Sequence, residues 1–209
     1  MRITSHGHAC VRIEAEGRVL VIDPGIFSDA SALDGADEVL VTHEHPDHLD
    51  LAKLLAARAA NPRLRVLLPA PAAEQAAELG SAAVVVAPGE QVTAAGFTVD
   101  VVGGQHAEIY DALPGCANVG FVVDRRLYHP GDSLFVPEQP VEAVLVPAAA
   151  PWLKLAEALD FVRAVKPARA FPIHDATLNA LGREYFDGWM DFKGETAYTR
   201  LAAGEAAEL

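Results

Sequence analysis

A chain of 209 residues with 51% apolar side chains can bury one large α/β core and leaves little for a second, so one domain over 1–209 is expected. The formal net charge of −13 disfavours a nucleic acid partner, because phosphate binding needs clustered Lys and Arg and the pairs Arg63/Arg65 and Arg125/Arg126 make no stripe. No apolar run approaches the roughly 18 to 20 residues of a membrane span, and the opening MRITSHGHAC lacks the basic and apolar regions of a signal peptide, which excludes membrane insertion and makes a cytoplasmic protein the expectation.

Short runs rich in Val, Leu and Ile alternate with turn signals and alanine-rich helical stretches, an α/β pattern. Strands are predicted at 2–4, 10–15 and 18–23, the last two joined by a hairpin turn at Gly17. A strand at 39–42, a helix from about 49 to 59, a strand at 64–68 and a helix after Pro71 complete the first half. The second half reads as strands at 97–102, 119–123, 127–128 and 144–146, a helix over 152–165 and a buried strand at 170–173. Cys10 and Cys116 lie far apart without zinc-finger spacing, so both are read as reduced and structural.

The densest chemical signal is Thr42-His43-Glu44-His45-Pro46-Asp47-His48, directly after an apolar run. Imidazole and carboxylate suit zinc first, and also manganese or iron, and the turn at Pro46 lets alternate residues face two positions. His106, Asp132 and His174 each follow another predicted strand. Ligands in α/β proteins gather at the carboxyl ends of strands, so four strand ends could converge on one pocket.

The HxHxDH motif formed by His43, His45, Asp47 and His48 resembles that of the metallo-β-lactamase superfamily, and the resemblance extends over nearly the whole chain. It implies a four-layer αββα sandwich with two divalent metal ions, the first held by His43, His45 and His106. The second would be held by Asp47, His48 and His174, with Asp132 bridging both. Such a pair, roughly 3.5 to 4 Å apart, shares a water and lowers its pKa, with Asp47 orienting it for hydrolysis. Gly7-His8-Ala9, residues 19–25 and the turn Tyr128-His129-Pro130-Gly131-Asp132 look most like the branch containing ascorbate-phosphate lactonases. A small ester-like substrate, with a lactone foremost, is the leading expectation. A phosphodiesterase acting on a nucleotide or phospholipid head group, or a non-catalytic metal-binding scaffold, stand as alternatives. Asp132 is unlike the pattern of true β-lactamases, which disfavours antibiotic hydrolysis.

Four further sets of residues carry two readings each. Asp23 matches a family position that orients a ligand histidine, or is a turn-forming Asp before Pro24. His8 lines the pocket or faces solvent in a turn, and His6 and His129 have less support for a pocket role. Asn118 donates to a developing oxyanion or satisfies its own strand-start turn. The aromatics in 185–192 wall the pocket or belong to helix core. Oligomeric state is left open, a homo-oligomer included.

Overall fold

The structure, a computed structural model, describes residues 1–111 and 115–209. The first seven-stranded sheet has the order β14-β1-β2-β3-β4-β5-β6, formed by β1 (Arg2–Ser5), β2 (Val11–Ala15), β3 (Arg18–Ile22), β4 (Glu38–Leu40), β5 (Arg65–Leu68), β6 (Ala83–Val85) and β14 (Ala206–Glu208). The second has the order β13-β12-β11-β10-β9-β8-β7, from β7 (Gln91–Ala94), β8 (Phe97–Gly103), β9 (Val119–Val123), β10 (Leu127–His129), β11 (Ala143–Pro147), β12 (Arg169–Ile173) and β13 (Ala197–Tyr198).

Three apolar layers hold this arrangement together. Ile13, Leu20, Ile22 and Leu40 of the first sheet meet Phe97, Val99, Phe121 and Phe171 of the second between the sheets. The alternate residues Val21, Val39 and Val66 point outward and are covered by Leu54 of helix α1 (Leu51–Ala60) and Ala72 of α2 (Ala70–Gln75). On the other side, Val122, Val144 and Val146 pack on Phe161 of α3 (Leu155–Val165) and Phe186 of α4 (Ala180–Lys193). The molecule is therefore an α/β sandwich in the expected αββα order. No helix among the described residues is long and apolar enough to cross a membrane.

Differences from the predicted boundaries have local causes. Helix α1 starts at Leu51 rather than 49 because Asp50 caps it, accepting the Lys53 N–H at 3.2 Å. Helix α3 starts at Leu155 rather than 152, where Glu157 accepts the Lys154 N–H at 2.8 Å, and Trp152 stays in the preceding turn. Strands β6, β7, β13 and β14 are the edge strands of the two sheets, pieces of two to four residues too short for a period-2 signal.

Candidate metal centre

The ladder of β4 ends at Leu40 because the Thr42 N–H is taken by the Asp23 carboxylate at 2.7 Å. Asp23 sits fully buried just beyond β3 with a positive φ of 51°. Its other oxygen accepts the Thr42 hydroxyl and the His48 Nδ1–H, each at 2.7 Å. Gly25 lets this strand end press on the histidine-rich loop, since a Cβ there would lie 1.9 Å from the Asp47 carbonyl oxygen. The His48 and Leu49 N–H groups both donate to His45 O, which closes the Pro46 turn.

The loop after β4 meets the residues beyond β8, β10 and β12, namely His106, Asp132 and His174. Two backbone bonds join the sheets here, Val119 N–H to Thr42 O and His174 N–H to His8 O, both at 3.0 Å. His8 and His174 have φ of 52° and 57°, a conformation costly for a non-glycine residue and held only by well-determined surroundings. His43 Nε2 stands 3.0 Å from His45 Nδ1, and His106 Nε2 lies 3.4 Å from Asp132 Oδ2. His48 Nε2 is 3.0 Å from Asp132 Oδ1, while His174 Nε2 is 3.1 Å from Asp132 Oδ2 and 3.3 Å from Asp47 Oδ2. A tetrahedral cation with nitrogen bonds of roughly 2.0 to 2.1 Å spaces its ligands about 3.3 Å apart, so these separations suit metal ligation.

The outer nitrogen of each ring is held. His43 Nδ1–H donates to the Thr42 hydroxyl at 3.0 Å, His106 Nδ1–H to Ala107 O and His174 Nδ1–H to Ala149 O, both at 2.6 Å. His45 directs Nε2 at the Cys116 sulfur, 3.8 Å away. Fixing one nitrogen orients the other inward. The inward atoms His48 Nε2, His106 Nε2, His174 Nε2 and Asp132 Oδ1 are buried without a hydrogen-bond partner, which is costly unless something else binds them. Among the described residues, three groups could each hold a cation: His43, His45, His106 and Cys116; His8, Asp47, His48 and His174; and His43, His48 and Asp132.

Charge in this cluster follows from its contacts. Burial opposes a proton on His48, yet the Asp132 and Asp23 carboxylates hold its pKa well above the usual imidazole range. His174 is also raised against burial, to about 9, by the Asp132 and Asp47 carboxylates beside it. Burial would raise the carboxyl of Asp132, but His48, His106 and His174 bring it well below its ordinary value. His43, buried among other imidazoles, is lowered.

Residues 2–174 match the β-lactamase superfamily domain. The chain belongs to the metallo-β-lactamase superfamily of metal-dependent hydrolases. It is 39% identical over 194 residues to protein Rv0786c of Mycobacterium tuberculosis, covering 90% of each chain. It is also 27% identical to the UPF0173 metal-dependent hydrolase Ta0764 of Thermoplasma acidophilum, over 87% of this chain and 86% of that one. Among solved structures it resembles Igni18, a metallo hydrolase from Ignicoccus hospitalis, with a TM-score of 0.77 at 20% identity, over 100% of this chain and 98% of that one. The metallo-β-lactamase fold protein YhfI of Bacillus subtilis gives a TM-score of 0.78 at 13% identity, over 100% and 99% of the two chains. At such identities these two likenesses concern the fold.

Within this superfamily site, the structure sorts the residues that carried two readings. Asp23 is a buried hub rather than only a turn former. His8 is buried, not solvent-facing: its Nδ1 accepts the Ala176 N–H at 3.3 Å, so Nε2 carries the proton donated to Asp47 Oδ2 at 3.1 Å. Asn118 is fully buried and clamps the turn before Asp132 instead of its own, donating to Pro130 O at 2.9 Å and accepting the Asp132 N–H at 3.0 Å. His129 donates to Ala9 O and accepts the Gly131 N–H, a structural pin, and His6 joins none of the three groups.

The aromatic stretch divides between two faces of α4. Phe186 is core, whereas Tyr185, Trp189 and Phe192 line an open groove of about 520 Å³ with Leu181 and do not wall the histidine cluster. The aromatic rings beside the cluster are Trp152 and Phe27, which sequence reasoning did not select. Cys10 is buried as expected for a structural thiol, but Cys116 is half-buried beside His45, a placement its long separation from other cysteines could not show.

Proposed function

We propose that His43, His45 and His106 hold one divalent cation, that Asp47, His48 and His174 hold a second, and that Asp132 bridges them, with zinc the first choice and manganese or iron also suited. The observation that carries this reading is the set of buried, unpartnered inward atoms on His48, His106, His174 and Asp132. When bound, the cations supply Lewis-acid polarisation of a substrate oxygen and activation of water near neutral pH. The chain's own residues supply orientation. Asp23 and the carbonyls of Ala107 and Ala149 fix ring tautomers. His8 donates to one oxygen of Asp47, holding that carboxylate where it can accept a proton-bearing nucleophile's hydrogen bond.

The substrate class is a small ester, a lactone foremost. Support comes from the Gly7-His8-Ala9 loop, whose histidine touches Asp47, and from the resemblance of that loop to the lactonase-containing branch. Two measurements test the proposal. Purified protein should bind about two equivalents of zinc, with Asp132→Ala weakening occupancy and abolishing turnover together. A panel of lactones against bis-nitrophenyl phosphate should show turnover on the lactones. Preference for the phosphodiester would replace the ester reading, and full double occupancy with wild-type turnover in Asp132→Ala would remove the bridge.

A further inference from the structure

Trp152 lies in the turn before α3, 8% exposed. Its indole N–H donates to Asp132 Oδ2 at 3.3 Å. Its ring centroid is 5.9 Å from that of His106 and 6.2 Å from that of His174. These two histidines are assigned to different cations above, so one buried ring borders both positions and bonds to the carboxylate between them. A buried indole N–H requires an acceptor, and here the acceptor is a carboxylate oxygen facing the cluster.

We propose that Trp152 is a positioning residue whose indole N–H holds the Asp132 carboxylate in its bridging orientation, so that both cation positions depend on it. The inference rests on the two-cation reading. The backbone of Asp132 is already fixed, with its N–H accepted by Asn118 and its carbonyl accepting the Ala107 N–H at 2.8 Å. The remaining freedom is rotation of the carboxylate plane. A donor on Oδ2 alone breaks the equivalence of the two oxygens, leaving Oδ1 toward His48 and Oδ2 between His106 and His174. Were α3 to begin at Trp152, as its sequence predicts, the indole would belong to the helix rather than to this turn. The Lys154–Glu157 cap starts the helix later and leaves Trp152 in place.

The test uses full-length zinc-loaded protein. The chain has two tryptophans, and Trp189 is well exposed on α4, so their indole N–H resonances can be told apart. The Trp152 N–H should exchange slowly and shift in Asp132→Asn, while that of Trp189 does neither. Trp152→Phe keeps a ring and removes the donor; chelator competition should show zinc affinity falling about tenfold or more at both positions, as for other partners of metal ligands. Unchanged affinities, a loss confined to one position, or Trp152 N–H exchange as fast as that of Trp189 would overturn the proposal and leave the two-cation reading standing. Wild-type protein that binds fewer than two zinc ions would overturn that reading and this inference with it. If Trp152→Phe fails to fold, the exchange comparison between wild type and Asp132→Asn decides.

Discussion

Replacing Asp23 by Asn tests how the centre is held, because the two side chains share shape and both tolerate the positive φ found there. Asp23 accepts three donors in a fully buried place: the Thr42 N–H on one oxygen, the Thr42 hydroxyl and His48 Nδ1–H on the other. An amide can match only one side. With its oxygen toward Thr42 Oγ1 and His48, the Thr42 N–H is left facing an NH₂ group, at a cost of about 1–3 kcal/mol for an unsatisfied buried donor. The reverse orientation leaves two donors unmatched. Losing the charge weakens the remaining bonds further. Asp23→Asn should therefore lower the unfolding free energy of metal-free protein by at least about 2 kcal/mol in urea titrations. Zinc affinity at the His48 position should fall roughly 10- to 100-fold in chelator competition, with a smaller change at the His43 position. Stability within about 0.5 kcal/mol of wild type, together with unchanged affinity, would refute the hub role of Asp23.

Cys116→Ala should weaken the first cation position by up to about tenfold, since it removes the sulfur toward which His45 Nε2 points, and Cys116→Ser should recover most of the loss. A thiolate-to-cobalt charge-transfer band in cobalt-loaded wild type would instead make Cys116 a direct ligand. His174, raised to about 9 in the folded chain, stabilises metal-free protein fully below the unfolded value near 6.5, and that contribution is lost as pH climbs through about 9. Cation binding needs the neutral ring, so zinc affinity should rise with pH over the same interval and binding at pH 7 should release protons. Calorimetry in buffers of different ionisation enthalpy measures that release, and none at pH 7 would contradict the charge state assigned to His174.

The parts of the site that could be read in advance are those whose signal is local. His43, His45, Asp47 and His48 crowd one turn, and His106, Asp132 and His174 each follow an apolar run, so strand-end geometry alone predicts that they converge. The α/β class rests on a similarly local alternation of strand and helix, whereas the four layers are what the resemblance to the superfamily implies. What escaped detection depends on long-range packing. Trp152 looked like the start of an amphipathic helix, and only the cap at Lys154 shows that it stays in the turn. Cys116 is 71 residues from His45, and no spacing rule links them. Neither reading of Asn118, an oxyanion donor or an amide serving its own turn, includes its contact with the next turn; the neighbouring strand brings it against Gly131, where a Cβ would lie 2.3 Å from the Asn118 amide oxygen.

The ligand sets also explain why so costly a cluster can sit in this fold. In the proposed assignment the first cation draws His43 and His45 from the loop beyond the first sheet and His106 from beyond the second. The second cation takes Asp47 and His48 from the first side and His174 from the other. Each cation is then a cross-link between the sheets, at the edge where Val119 already bonds to Thr42 and His174 to His8. Without cations, the inward atoms have only one another, and the edge relies on those backbone bonds and on the attraction of His48 and His174 for the Asp132 and Asp47 carboxylates. With cations bound, the same atoms contribute binding free energy to the folded chain and none to the unfolded one, so occupancy and sheet-to-sheet cohesion rise together. The apolar layer between the sheets sets their separation, and the held outer nitrogens set the angle of each ring. In this assignment the geometry of the site and fold stability are fixed by one set of contacts, which is why replacing a residue outside the proposed ligand sets, such as Asp23, should affect both.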